Sequence, residues 1–298
     1  MVASYLNLNP NTLKERAEKA KQHLSHCDLC GWECGINRLE GKVGVCKTGE
    51  VAFISSFGPH HGEEDPLRGW RGSGTIFFAG CNLRCQYCQN YEISHLYQGH
   101  AVTPEELAAV MLQLQIIGCH NINLVSPSHV IVPILLALTI ARSKGLCLPL
   151  VYNTGGYDSL SGLELLDGII DIYMPDMKYS NANLARKYSR IPNYPQINQQ
   201  AVKEMHRQVG DLILDKNGIA QRGLIIRHLV LPNKIAGSEQ ILEFIVKEIS
   251  PHTYLNIMDQ YHPCYRAHQY PKLNRRITKR EYEEVLALAK SLGLDRLD

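Results

Sequence analysis

Thr75-Ile76-Phe77-Phe78-Ala79-Gly80-Cys81-Asn82-Leu83-Arg84-Cys85-Gln86-Tyr87-Cys88-Gln89-Asn90 is the stretch from which the rest of the chain can be read. The apolar run 75–80 has the length and composition of a buried strand, and three cysteines in C-x3-C-x2-C spacing follow it at once. A chain that leaves a strand and loops tightly can turn three thiolates onto one metal centre. A four-iron, four-sulfur cube has four irons, so three cysteines leave one iron open to a substrate or cofactor, as an open zinc position is. A three-cysteine zinc site, completed by a histidine elsewhere, is the alternative that the residues allow.

The 298 residues are 45% hydrophobic and 20% charged, enough for one large core with an appended module. A formal net charge of +2 builds no strong field toward nucleic acid or a membrane, so neither is expected as a partner. The longest apolar stretch, 130–140, contains a proline and is too short to span a bilayer. No basic segment followed by an apolar core opens the chain, so no signal peptide is expected. Ten cysteines, most of them in metal-like spacings, point to a reducing, cytoplasmic setting rather than a disulfide framework.

Ahead of the strand, Asn11 is expected to cap a helix over 12–24. Cys27, Cys30, Cys34 and Cys46 then fall within a Gly-rich segment too small to fold on apolar burial alone. A metal would supply the missing stability, as a second iron–sulfur cluster or as a structural zinc. Residues 51–71 read as a linker, with His60, His61, Glu63, Glu64 and Asp65 in a solvated loop placed where it can face an active site.

From residue 74 onward, apolar strands alternate with helices. Strands are expected at 75–79, 122–125, 148–152, 169–174, 224–230 and 254–258. Helices are expected at 104–117 (N-cap Thr103), 130–144, 160–166, 183–190, 196–209, 238–249 and 279–292. This is an α/β pattern with a parallel sheet covered by helices, divided into an N-terminal metal knuckle with its linker over 1–70 and a barrel over 71–298. Barrel chemistry sits at the C-terminal ends of strands. Those ends carry Ser126-Pro127-Ser128-His129, Asn153-Thr154-Gly155-Gly156, Met174-Pro175-Asp176-Met177-Lys178, Arg227 and the polar run 259–266, which includes Cys264.

The cysteine run with an aromatic, Tyr87, before its last cysteine resembles the cluster motif of the radical S-adenosylmethionine (SAM) enzymes. The resemblance implies a partial (β/α)6 TIM-like barrel and a 4Fe–4S cluster on Cys81, Cys85 and Cys88. It also implies SAM on the free iron, and a flavodoxin- or ferredoxin-type electron donor. One-electron reduction would cleave the cofactor to a 5′-deoxyadenosyl radical that abstracts hydrogen from a substrate. Many such enzymes have Gly-Gly-Glu after the second strand; here Ser126, Ser128 and His129 stand in for that contact to the cofactor's amino group, with Tyr87 also beside the cofactor.

The next strand ends resemble those of the glycyl-radical-enzyme activases, which read Asp-Thr-Asn-Gly and Met-Leu-Asp-x-Lys. Carried over, Asn153, Thr154, Met174 through its carbonyl, and Asp176 would hold a monovalent cation, and Lys178 would point at the cofactor. Asn153 replaces an Asp and removes one negative charge. Arg227, on a strand that ends near Pro232, is similar to the activases' Arg-containing strand and could hold a carboxylate in a fork. Over nearly its whole length the chain resembles the pyruvate formate-lyase activating enzyme-like, PflX-type group. The substrate stays open among a glycine on a protein partner, a peptide and a small molecule, and a non-catalytic iron–sulfur electron carrier is the remaining alternative.

Overall fold

The computed structural model describes residues 2–298; Met1, the first residue of the expected N-terminal unit, lies outside it. Helix α1 (Pro10–Gln22) comes first, then the cysteine-bearing loops, β1 (Ala52–His60), α2 (Asp65–Arg68) and β2 (Ser73–Phe78). The chain continues through α3 (Tyr91–Ser94), β3 (His100–Val102), α4 (Pro104–Ile117), β4 (Ile122–Val125), α5 (Ile131–Ser143) and β5 (Leu150–Thr154). Next are α6 (Leu160–Glu164), β6 (Ile172–Pro175), α7 (Ala182–Ser189), α8 (Tyr194–Val209), β7 (Ile213–Leu214) and β8 (Ala220–Leu229). The fold closes with α9 (Ser238–Phe244), β9 (Tyr254–Met258) and α10 (Lys279–Ser291).

Six strands are mutually parallel and adjacent in chain order: β2, β4, β5, β6, β8 and β9. Every residue of β5 and β6 is buried, as expected for strands covered on both faces. All their C-terminal ends therefore rise on one rim. The helices between them are set by local chemistry. Thr103 caps α4 through the Glu106 amide while Glu106 answers the Thr103 amide, and Gly118 (φ 96°) ends the helix in the left-handed region.

Three features differ from the sequence expectations. Asn9, not Asn11, caps α1, because Pro10 at the first position has no amide to satisfy and presets the helical φ. The expected linker 51–71 contains a nine-residue strand, β1, which pairs antiparallel with β2 and with β3. Its Gly58 and Pro59 hide the strand in sequence, and both are tolerated near the end of a ladder interrupted by an irregularity at Ile54–Ser56. The boundary expected at 70/71 falls between α2 and β2, yet Tyr5, Leu13, Cys27 and Ile54 share one core with Ile76, Leu124 and Leu135. No helix among the described residues is long and apolar enough to cross a membrane.

Candidate metal and cofactor site

The loop after β2 is held from three sides. Its backbone is tied to the end of α7, where Arg84 and Gln86 amides donate to the Ser189 and Tyr188 carbonyls (3.1 and 2.8 Å). Leu83, Cys85 and Tyr87 sink into an apolar cluster with Tyr157, Tyr179 and Tyr194. The loop after β5 leaves room for this only because it is glycine: a Cβ on Gly155 would stand 2.4 Å from Leu83 Cδ1. At Gly156 (φ 74°) a Cβ would meet Asn198 Nδ2 at 2.2 Å and the Asp176 carbonyl at 2.3 Å.

Each sulfur of the loop has a donor beside it. The Leu83 amide donates to Cys81 Sγ (3.3 Å), the Ser189 hydroxyl donates to Cys85 Sγ (3.0 Å), and the Ser94 hydroxyl lies 3.2 Å from Cys88 Sγ. Burial pushes the Cys81 thiol up to about 11 and the Cys85 thiol up to about 12, with Lys178 pulling both back only in part. A bare thiolate is thus disfavoured there while the donors wait for one, and a metal resolves the conflict by supplying the positive charge. Among the described residues no three Cys, His, Asp or Glu groups stand close enough together to enclose a single ion. A cube gives each cysteine its own iron and takes a wider spread of sulfurs.

Cys85 and Cys88 open onto a cavity of about 410 Å³ at the strand-end rim, bordered by Tyr87, Asn153, Asp176, Lys178 and Arg227. Lys178 Nζ lies 2.6 Å from Asp176 Oδ2. Arg227 donates from Nη2 to Asn153 Oδ1 (2.7 Å) and from Nε to Asp176 Oδ1 (3.3 Å), and its Nη1 lies 3.5 Å from Glu63 Oε2. Burial alone would raise the Asp176 carboxyl, but Lys178 and Arg227 outweigh it and hold the group below the usual carboxylate range.

The four N-terminal cysteines share a second, smaller recess, lined by Cys27, Cys30, Cys34 and Cys46 with Arg38 and His129. Here too the sulfurs have donors. The Trp32 amide and the Asn82 side chain serve Cys30, the Ile36 amide serves Cys34, and Arg38 Nη1 lies 3.8 Å from Cys27 Sγ. Arg38 is only 3% exposed; its other contacts are the carbonyls of Gly49 and His129, and among the described residues it has no carboxylate partner. A guanidinium cannot shed its proton, so its buried charge calls for anionic sulfur. The recess abuts the first loop: Trp32 Nε1 donates to the Asn82 carbonyl (2.6 Å), and Arg84 reaches the Val45 carbonyl. Asn82 therefore touches Cys30 on one side and Cys81 on the other, its Oδ1 4.0 Å from Cys81 Sγ.

Several expected contacts fall elsewhere. Ser126 adopts a left-handed backbone (φ 59°) that turns the following residues away from the rim. Ser128 is buried against Thr154 Oγ1 (3.0 Å), which in turn donates to Asp158 Oδ2 (2.7 Å). His129 Nε2 bonds the Ala79 carbonyl (3.0 Å) and its ring lines the cysteine recess rather than the cavity. Burial holds this imidazole down to about 4, so it is neutral. The Met174 side chain packs in the core below the rim, which leaves the expectation for its carbonyl untouched. The oxygens of Asn153 and Asp176, expected on a monovalent cation, both accept from Arg227, while Thr154 faces the other side of its strand. Arg227 thus bonds two of the oxygens expected on that cation. Sequence reasoning missed Ser94, Ser189, Asn82 and Arg38, none of which belongs to a spacing motif. It read Glu63 as solvated, whereas the structure buries it on the cavity wall.

Comparison with known proteins gives a family and several relatives. The sequence pattern of the Radical SAM superfamily matches residues 75–208. The chain is 34% identical over 298 residues to the uncharacterized protein MJ0674 of Methanocaldococcus jannaschii, covering 97% of this chain and 81% of that protein. Among solved structures it aligns with a radical SAM methyltransferase from Sphaerobacter thermophilus (13% identity, TM-score 0.49, 75% of this chain and 65% of that one). It also aligns with Streptococcus suis SuiB bound to precursor peptide SuiA (13% identity, TM-score 0.47, 71% and 44%). The chain spans less than two thirds of either solved chain.

The crowding at Gly156 predicts that Gly156→Ala lowers stability by about 1–3 kcal/mol through overpacking and backbone strain. Gly49→Ala, where a Cβ meets nothing within 4 Å, serves as the neutral control. Urea denaturation of the two variants beside the wild type checks this; equal midpoints for both variants would contradict it.

Proposed function

The chain belongs to the radical SAM superfamily, and on that premise we propose that it is a hydrogen-abstracting enzyme whose reaction runs in the cavity beside Cys85 and Cys88. Membership implies a 4Fe–4S cluster and SAM. When bound, the pair supplies an electron to the cofactor's sulfonium and a 5′-deoxyadenosyl radical that takes hydrogen from the substrate. The observation that carries the reading is the three-sulfur loop, with a donor on each sulfur, opening onto a charged cavity at the strand ends. In this reading Cys81, Cys85 and Cys88 hold the cluster and Ser189, Ser94 and the Leu83 amide tune its sulfurs. Lys178, whose ammonium has three donors and one partner in Asp176, offers the rest to the cofactor. Tyr87 and Asn153 border the same space.

The 410 Å³ cavity has room for the cofactor's reacting end with a small molecule or one side chain of a peptide, which favours those substrates over a large folded partner. The division at 70/71 is kept here as one of function, with a metal-binding knuckle before it and the radical site after. For Cys27, Cys30, Cys34 and Cys46 the reading is a second iron–sulfur cluster, because Asn82 joins its sulfurs to those of the first loop and so offers a short path for an electron. The donor would be a small acidic electron carrier of flavodoxin or ferredoxin type. A concave patch lined by Lys47, Arg84, Arg190 and Arg266 lies on the outer side of the same loop. None of these four is paired with a carboxylate among the described residues.

Two outcomes are expected. After anaerobic reconstitution, iron, sulfide and zinc analysis should give about eight irons in the wild type and about four in Cys30→Ala, which keeps SAM cleavage in part; Cys85→Ala should lose cleavage altogether. About four irons with one zinc in the wild type would make the knuckle structural, and cleavage persisting in Cys85→Ala would sink the radical assignment. Reversing charge at Arg190 and Arg266 to Glu should slow 5′-deoxyadenosine formation with flavodoxin as reductant and leave the dithionite-driven rate unchanged. Equal rates with flavodoxin would remove the patch from the account.

A further inference from the structure

The cavity wall opposite the cysteine loop holds more acid than it can neutralise. Glu63 and Glu64 precede α2 and are only 7% and 2% exposed as side chains. Glu64 Oε1 accepts from Asn256 Nδ2 (2.9 Å) and lies 3.8 Å from Arg227 Nη1. Glu63 Oε2 and Glu64 Oε2 have no hydrogen-bond partner, although Glu63 Oε2 is within 3.5 Å of Arg227 Nη1. With Asp176, three carboxylates share the two permanent cations Arg227 and Lys178, and the His60 imidazole borders the same cavity beside Glu63. Arg227 bonds Asn153 and Asp176 on one side and faces the two glutamates at ion-pair distance on the other. An anionic substrate on this side of the cavity would meet the Glu63 carboxyl beside the guanidinium. Burial pushes the Glu63 carboxyl above its usual range, with Arg227 opposing and Glu64 adding to the rise. A buried acid pair of this kind either retains a proton or takes a cation. Around it Phe77, Val125, Leu229, Met258 and Tyr261 give the same cavity apolar walls.

We propose that Glu63, backed by Glu64, is the substrate-binding acid of this cavity and takes a primary alkylammonium group, with the alkyl stem against the apolar walls. An ammonium is a multiple donor with a full positive charge, suited to the Glu63 carboxyl that borders the cavity, while Glu64 adds negative charge from behind it. The head group is common to a free alkylamine and to a peptide lysine. Naming this substrate class rests on the radical-enzyme reading only for what happens after binding, so the test reads binding without turnover.

The experiment uses the full chain, anaerobic and reconstituted, without reductant. Calorimetry compares n-butylamine, butyrate and 1-butanol on the wild type, then n-butylamine on Glu63→Gln, with SAM affinity measured separately on both proteins. The amine is expected to bind the wild type and butyrate is not, and Glu63→Gln should weaken the amine by about ten-fold or more while SAM affinity holds. Comparing cadaverine with Nα-acetyl-lysinamide then shows which source presents the head group, and tighter binding of either than of 1-butanol supports the proposal. Butyrate binding as well as the amine overturns it, and that comparison needs no variant to fold. So does an unchanged amine affinity in Glu63→Gln, or a loss of SAM affinity there instead, which would hand the acid to the cofactor. Failure of the radical reading would appear separately, as no SAM cleavage by a protein that still binds the amine.

Discussion

Seven sulfurs in two adjoining sets, four of them (Cys30, Cys34, Cys81 and Cys85) where burial makes a bare thiolate costly, are the constraint on which the rest of this structure depends. Burial pushes the thiols of Cys81 and Cys85 far up their scale and that of Cys30 higher still. Yet hydroxyls, amides and one buried guanidinium are aimed at the same sulfurs. Donors arranged for an anion in a place that disfavours the anion make sense only if a cation joins it, and a metal centre supplies one. The packing follows from the need to keep both sets in place. The first loop is bolted to the end of α7, the knuckle is bolted to the first loop through Trp32 and Arg84, and the loop after β5 has two glycines that leave room for Leu83 and Asp176.

The second organising feature is Arg227. On β8, beside Asn153 of β5 and Asp176 of β6, it crosses the mouth and gathers carboxylates from elements far apart in the chain. In the activases to which these strand ends bear a likeness, Asp and Thr oxygens hold a cation. Here an amide replaces the Asp, and the guanidinium fills the same electrostatic need from within the chain. The glutamates beyond it then carry negative charge that the site itself leaves unbalanced.

Much of this was legible in the sequence because it is local. The three cysteines of the loop and the four of the knuckle are read from spacing, and the six parallel strands from apolar runs bounded by caps such as Thr103 and Gly118. What stayed hidden depends on partners far away in the chain. Glu64 looks solvated until Asn256, 192 residues on, meets it in space. Ser128 and His129 sit at a strand end, as expected, but one left-handed residue, Ser126, turns them from the cavity to the cysteine recess. β1 was obscured by Gly58 and Pro59, which lower strand propensity without preventing antiparallel pairing to β2 on one edge and β3 on the other.

The central claim is that the loop of Cys81, Cys85 and Cys88 carries a cluster with one iron left for SAM. Electron paramagnetic resonance of the reduced Cys30→Ala protein, which isolates that centre from the knuckle, tests it most directly when SAM is added at rising concentration. The account predicts that the reduced-cluster signal changes shape and saturates as the cofactor takes the open iron. A signal from an intact, reduced cluster that SAM leaves unchanged would contradict it.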